Sequence, residues 1–327
     1  MPRHLFRISL IVTLLTGCSD DNPTTLFETY LDRVSNVQAS DSPEVSVSYS
    51  ALPRKRELRV DIPPLTLGLL DSYQLRQCGL FELIAQRNSV LGKVADEFRN
   101  YDYQRDLLKG LATCVENNQL DPSLKQTLLE IQSQKHQQLT LHQSNLLYAS
   151  DAMQQQLSGS RWLGKGLSEP VTQIDHALST LSMSFIEPLE KGKVTKVQEV
   201  LEKNAIVGNL DYSLVHAAQQ LETVTAQLKE YDERIICGPQ RDDTKFRHLN
   251  NVFEQQYVAK IQPYMATLDS YYQQLSPHFT LFEPAPDRLD YHFPIKQHHD
   301  EFRQAIRAHV SYWQSLFKRC GRQVGRS

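Results

Sequence analysis

The sequence of 327 residues is poor in the patterns that announce a function. Past residue 15 no stretch is apolar enough to cross a bilayer, which takes about 20 apolar residues. There is no Cys-x-x-Cys pair and no cysteine–histidine set at zinc spacing, so a structural zinc site of the usual kind is excluded. No Gly-x-Ser-x-Gly and no His-Glu-x-x-His occurs, which removes the hydrolase elbow and the zincin helix. No Glu-x-x-His pair recurs on two helices, as a carboxylate-bridged metal bundle would need. Excess positive charge is lacking too. The formal net charge is −3, against a dedicated nucleic-acid binder. No fixed-length repeat and no strongly biased tract is present.

What is there begins at the N-terminus. Arg3, His4 and Arg7 precede an apolar stretch, Ile8 to Leu15, and then Thr16-Gly17-Cys18. We read residues 1–17 as a cleavable lipoprotein signal and Cys18 as the lipidated residue. A diacylglyceryl thioether together with an acylated amine gives more than one chain, which anchors stably where one chain does not. The plainer alternative is an ordinary signal with a chance cysteine at its end. Ser19 after the cysteine implies delivery to the outer membrane, with Asp20 a mild complication. The expected location is therefore the periplasmic face of the outer membrane.

Of five cysteines, four remain after the anchor: Cys78, Cys114, Cys237 and Cys320. An even number in an oxidising compartment predicts two disulfides.

Helical periodicity dominates the rest, and the expected fold is all-α with little or no strand. The expected form is an elongated bundle of long antiparallel helices with a coiled-coil-like seam. Residues 18–64 read as the lipidated cysteine, a short tether, a first helix on Phe27, Leu31 and Val34, and an extended arm in which Leu58, Val60 and Ile62 alternate with charged residues. Residues 65–158 form an N-terminal helical part and residues 159–327 a C-terminal bundle part. In the first part, the stripe Leu69, Tyr73, Leu80, Ile84, Leu91, Val94 and Phe98 predicts one helix over 65–98. A second runs to about Val115. Asp121-Pro122 opens a long glutamine-rich helix to about Leu157, polar nearly all round and so expected to face solvent.

In the second part, Leu210, Leu214, Ala217, Leu221, Val224, Leu228, Tyr231 and Ile235 keep a 4-3 spacing that reads as a seam. Cys237-Gly238-Pro239 stops it. The next helix carries Pro263, which is expected to kink it. A Pro- and aromatic-rich connector then leads to a last helix from Ile295 to Cys320.

Topology gives a disulfide pairing by parity. If the helices flanking Phe98–Asp102 form a hairpin, Cys78 and Cys114 lie at the same end. Cys237 and Cys320 close helices separated by one helix, so those ends also meet. Against the first pair, Cys78 points about 160° away from the Leu80/Ile84/Leu91 stripe on an ideal helix.

Few constellations suggest chemistry. Gly159 to Gly166 nearly spells a phosphate-binding loop, but Gly166 stands where a hydroxyl is needed and no strand precedes it, so an exposed loop with one tryptophan is the expectation. His298 and His299, with His292 nearby, point about 100° apart on a helix and cannot easily share an ion. His136 and His142 are also off one face. No metal and no cofactor are expected. The basic run Arg54-Lys55-Arg56 with Arg59 is read as a solvated linker, with anionic lipid as the alternative.

One polar residue interrupts an apolar stripe: Arg87, with Asn88 and Ser89 beside it. Either its stem packs while its head reaches water, or it is a buried, paired arginine organising a polar site. In the second case Arg87→Ala would cost about 3–5 kcal/mol.

The segment from Leu75-Arg76-Gln77-Cys78 through Arg87-Asn88-Ser89-Val90-Leu91-Gly92-Lys93, followed by Leu107 to Cys114, resembles an uncharacterised family of gammaproteobacterial lipoproteins. The lipobox and chain length are similar, and the resemblance covers nearly the whole mature chain. It implies an envelope location and supports the Cys78/Cys114 pair; it carries over no catalytic residue. The function expected is a non-enzymatic binding or scaffolding module of the cell envelope, partnered by the membrane through its anchor and by an envelope protein, with no nucleic acid. The alternative is a periplasmic enzyme acting on cell-wall or lipid material, with its site near Arg87 or the 292–301 histidines.

Overall fold

In the computed structural model, residues 22–66, 68–188, 192–283 and 289–322 are described. The signal segment and Cys18 lie outside them. The described chain is helical throughout, with no strand among the described residues.

Helix α1 (Pro23–Gln38) starts where Asn22 accepts from the Thr24 amide and Pro23 supplies a ready φ. It buries Phe27, Tyr30, Leu31 and Val34. A short helix, α2 (Lys55–Leu58), takes up the start of the segment expected to be extended. Residues 59–66 then run without regular structure.

The single helix expected over 65–98 is not formed. The chain instead makes α3 (Leu69–Gln74), a 3-10 turn (Leu75–Cys78), α4 (Leu80–Asn88) and α5 (Val90–Lys93). Gly79 breaks the first junction with φ +78°, a conformation a side chain disfavours. Ser89 breaks the second: it is extended and its Oγ accepts from the Gly92 amide at 3.1 Å. The stripe therefore has no common face. Leu91 is 81 % and Val94 76 % exposed, while Leu80 and Phe98 are buried. The same break removes the objection to the first disulfide, because helical phase does not carry from Leu80 back to Cys78.

Helix α6 (Glu97–Glu116) is capped by Asp96, whose carboxylate accepts from the Arg99 amide. Helix α7 (Pro122–Ala149) follows the Asp121 cap, and Ser150 divides it from α8 (Asp151–Leu157). The glutamine-rich helix is thus two helices, and its C-terminal half does not face solvent. Residues from His142 to Ala149 are all buried, polar ones included. That run is enclosed on every side, so polarity alone misjudged its surroundings.

After α9 (Ser168–Ile186) and α10 (Thr195–Lys203) comes α11 (Val207–Glu230). Leu210, Leu214, Ala217, Leu221, Val224 and Leu228 are fully buried. The helix stops at Glu230, so Tyr231 and Ile235 lie outside it, flanking the 3-10 turn Asp232–Arg234. Asn209, Asp211, Ser213, Gln220, Thr225 and Gln227 are buried as well, so α11 is a central helix rather than a helix with one apolar face. Its start meets the end of α8 closely: a Cβ on Gly208 would lie 2.5 Å from the Leu157 carbonyl, so only glycine fits.

Helix α12 (Thr244–Val252) passes through π-helical turns at Phe253–Ile261 into α13 (Gln262–Leu275). Pro263 falls at the start of α13, where its missing N–H and the clash with residue 259 are absorbed by the wider turn before it. The chain ends in α14 (Ile295–Arg319), which packs on α11.

One apolar cluster takes residues from Leu26 to Phe317, on both sides of residue 158. A second, smaller one joins Leu75, Leu80, Leu107, Leu111, Leu124 and Leu128. Two disulfides close the ends. Cys78–Cys114 has its Cα atoms 5.2 Å apart and ties the 3-10 turn to α6. Cys237–Cys320, at 5.3 Å, ties the chain after α11 to the end of α14.

Candidate functional site

A cleft of about 900 Å³ opens between the arm 59–66, α4, α6 and α7. The arm is held as an extended peptide. The Asn145 amide donates to the Val60 carbonyl and accepts from its N–H, both at 2.8 Å. Gln138 donates to the Pro63 carbonyl at 2.9 Å. Arg59 pairs with Glu97 at 2.8 Å. The alternation of Leu58, Val60 and Ile62 thus marks an arm paired with side chains rather than with a strand.

Arg87 and Asn88 both line this cleft. Arg87 is half-buried and has no carboxylate at ion-pair distance among the described residues. It donates to the Gly92 carbonyl and, at 3.3 Å, to Asn100 Oδ1. Its guanidinium lies 5.7 Å from the Tyr103 ring centroid. Of the two readings of Arg87, the buried, paired arginine does not hold there; such an arginine stands elsewhere. Arg105 is buried against Asp102 at 3.3 Å, with side chains 4 % and 6 % exposed. It also donates to the carbonyls of Pro188 and Gly192, while Asp102 accepts from Val194 and Thr195. That pair fastens Pro188, Gly192, Val194 and Thr195 to α6. Ser89 does not line the cleft; it caps α5.

Two residues that sequence reading did not assign to this site complete it. Lys135, from α7, lines the cleft and has no ion-pair partner among the described residues. Burial and the charge of Arg87 lower its pKa. His142, about two turns further along α7, is 6 % exposed. Burial above all, then the charges of Lys135 and Arg87, push it down to about 4.

The tautomer of His142 follows from its neighbours. Arginine can only donate, so Asn100 turns its oxygen to Arg87. Its Nδ2 then faces His142 Nδ1, 3.2 Å away, and donates to it. The neutral imidazole therefore carries its proton on Nε2. That atom is buried and has no hydrogen-bond partner. Arg87 and Lys135 thus turn cationic N–H groups to one cleft, and behind them the buried Nε2–H of His142 has no acceptor. Glu97 also lines it, but is held by Arg59 and Asn100.

The other histidines are taken up singly. His298 Nδ1 lies 2.7 Å from Asp211, and His299 Nε2 lies 2.8 Å from Asp269. They face different carboxylates, as their 100° separation requires. Burial alone would lower the His298 pKa; the hydrogen bond and charge of Asp211, with Glu301, outweigh it and the net shift is upward. His309 is fully buried. Trp313, a donor only, bonds its Nε2 at 3.0 Å, so Nδ1 carries the proton and donates to Thr225 Oγ1. No group of three or more metal-ligating side chains converges among the described residues.

The near phosphate-binding loop is a coil between α8 and α9. Its Trp162 is not an idle exposed ring: it donates to Thr24 at 2.7 Å and stacks on Phe27. Of the basic run, Arg54 pairs with Glu57 and Lys55 with Asp151. No helix among the described residues is long and apolar enough to cross a membrane.

Comparison with curated proteins and with solved structures gives no match. Over residues 27–324, which include both disulfides and every residue lining the cleft, the chain matches a family described as Protein of unknown function (DUF3080), and it belongs to that family.

Proposed function

We propose that the chain is a lipoprotein anchored through Cys18 at the periplasmic face of the outer membrane, and that its helical body is a binding module with the Arg87 cleft as its site. The observation that carries the reading is the set of N–H groups in that cleft. His142 has its Nδ1 lone pair taken up by Asn100 and its Nε2 proton buried, so it is not set to abstract a proton from a ligand. Two disulfides fit an oxidising compartment. The body is read as an elongated, antiparallel bundle with the Leu210–Leu228 seam at its centre.

A photo-crosslinking side chain at Asn88, exposed on the cleft rim, tests the binding reading in cells. Mass spectrometry should find an envelope component captured from position 88 and not from exposed position 130. Equal capture from both positions, or none, would count against it.

The alternative, a periplasmic enzyme acting on cell-wall or lipid material, draws on Asp211 and His298. A buried carboxylate holding an imidazole is how a general base is oriented. Asp211→Asn would abolish turnover on that reading and leave ligand capture intact on ours.

A further inference from the structure

We propose that the cleft takes a single-chain anionic amphiphile, its anionic group held by Lys135 and Arg87, and its chain laid along Leu80, Ile84, Leu107 and Ile131. This rests on the reading of the chain as a binding module.

The two ends of the cleft differ in chemistry. At one end stand Lys135 and Arg87, Lys135 with no acceptor among the described residues, in front of the buried imidazole of His142. Two cations near one another repel, and burial and then the charge of Arg87 lower the tendency of Lys135 to stay charged. A negative group with several oxygens would satisfy both cations at once. At the other end the wall is aliphatic, the face of the second apolar cluster that Ile84 and Ile131 leave partly uncovered. The volume, about 900 Å³, lies within the range of sites that enclose a ligand of this size.

Neither end alone accounts for the whole. Inorganic phosphate would meet the donors and leave the aliphatic wall wet. A neutral lipid would cover the wall and leave the donors unmet. The two carboxylates that share the cleft do not supply the missing charge: Glu97 is held by Arg59, and Asp61 is exposed on the arm. A fatty acid and a lysophospholipid share the required chemistry and differ only in the anionic group.

The full-length protein in phosphatidylcholine nanodiscs, irradiated with a diazirine-bearing palmitate and mapped by peptide mass spectrometry, tests the assignment. Label is expected on the peptides carrying Leu80–Ile84, Leu107 and Ile131. It should be displaced by oleate or by lysophosphatidylglycerol, and not by neutral monoolein; stronger displacement by one or the other identifies a carboxylate or a phosphate, and either supports the proposal. Lys135→Met should reduce labelling at least fivefold with an unchanged thermal melt, and Lys135→Arg should restore most of it. Label scattered over the surface, displacement by monoolein as effective as by oleate, or undiminished labelling of a folded Lys135→Met protein would overturn the proposal. If it falls while position 88 still captures an envelope component in cells, the ligand class is wrong and the binding module stands; if both fail, so does that reading.

Discussion

At the scale of single residues, two arginines exchange the roles their sequence positions suggest. Arg87 interrupts an apolar stripe, which made it visible; Arg105 sits among polar neighbours on α6, and its partners Pro188 and Gly192 are more than 80 residues away. Removing one member of a buried pair leaves an uncompensated charge, so Arg105→Ala should destabilise by about 3–5 kcal/mol. Arg87→Ala removes two charge-assisted hydrogen bonds to neutral acceptors from a half-buried site and should cost less, about 1.5 kcal/mol. Urea unfolding of both variants checks the order, and a larger loss at Arg87 would contradict it. Lys135 and His142 were illegible for a similar reason. Each is a lone residue on a polar helix, and what defines it, Asn100 or Arg87, comes from another helix.

The buried histidines make stability pH-dependent. His142 and His309 titrate at about 4 and about 3 in the fold, burial being the first cause in each. Unfolded, both titrate near the usual 6.5. Below that pH the unfolded chain binds protons the folded chain refuses, so their contribution is full above about pH 6.5 and falls as pH drops towards 4. Each loses about 1.4 kcal/mol per pH unit across that window. His298, with its raised pKa, acts in the opposite sense. Comparing urea midpoints at pH 7.5 and 5.5, His142→Gln should remove about one histidine's share of the loss; an unchanged pH dependence would refute the neutral, buried state.

At the scale of elements, helix type was legible and helix breaks were not. The cap at Asp121 and Pro122 and the apolar spacing of α11 are local chemistry, readable residue by residue, whereas α11 ends at Glu230, before the Cys237-Gly238-Pro239 stop. Gly79 and Ser89 are equally local, but either residue is tolerated inside a helix, and the aliphatic spacing across them was consistent with continuity. Tertiary contact decides: Leu75 and Leu80 go to α6, while Leu91 and Val94 have nothing to cover them. The segment from α3 to α5 is therefore attached by a small cluster and one disulfide. In the loop-entropy account, Cys78–Cys114, with a separation of 36 residues, contributes about 4 kcal/mol. Cys78→Ser with Cys114→Ser should expose 69–93 to rapid amide exchange while α11 stays protected; uniform loss of protection would show that the segment is integral to the main core. Leu221→Ala, in the fully buried row of α11, should by contrast lower global stability by about 2–5 kcal/mol.

At the scale of the whole molecule, the account joins an anchor to a cleft. Only Ser19, Asp20 and Asp21 separate Cys18 from Asn22, and even six extended residues span only about 20 Å, so the start of α1 is expected to lie near the bilayer. Cys18→Ala should leave an uncleaved, unlipidated precursor. Processing to the same mature end, with membrane attachment retained, would rule out the anchor. All-helical architecture was readable from periodicity because helices are written locally. The cleft was not, because it arises where an arm, three helices and a disulfide-tied segment meet, and no stretch of sequence contains more than a part of it.

The most direct test of the central claim is native mass spectrometry of the full-length protein extracted from its own membranes. The account predicts a non-covalent adduct on the wild-type chain, acidic and lipid-like in composition, reduced at least fivefold in Lys135→Met. A wild-type protein without adduct, or one whose adduct is indifferent to Lys135 in a folded variant, would contradict the claim that this cleft is where the protein does its work.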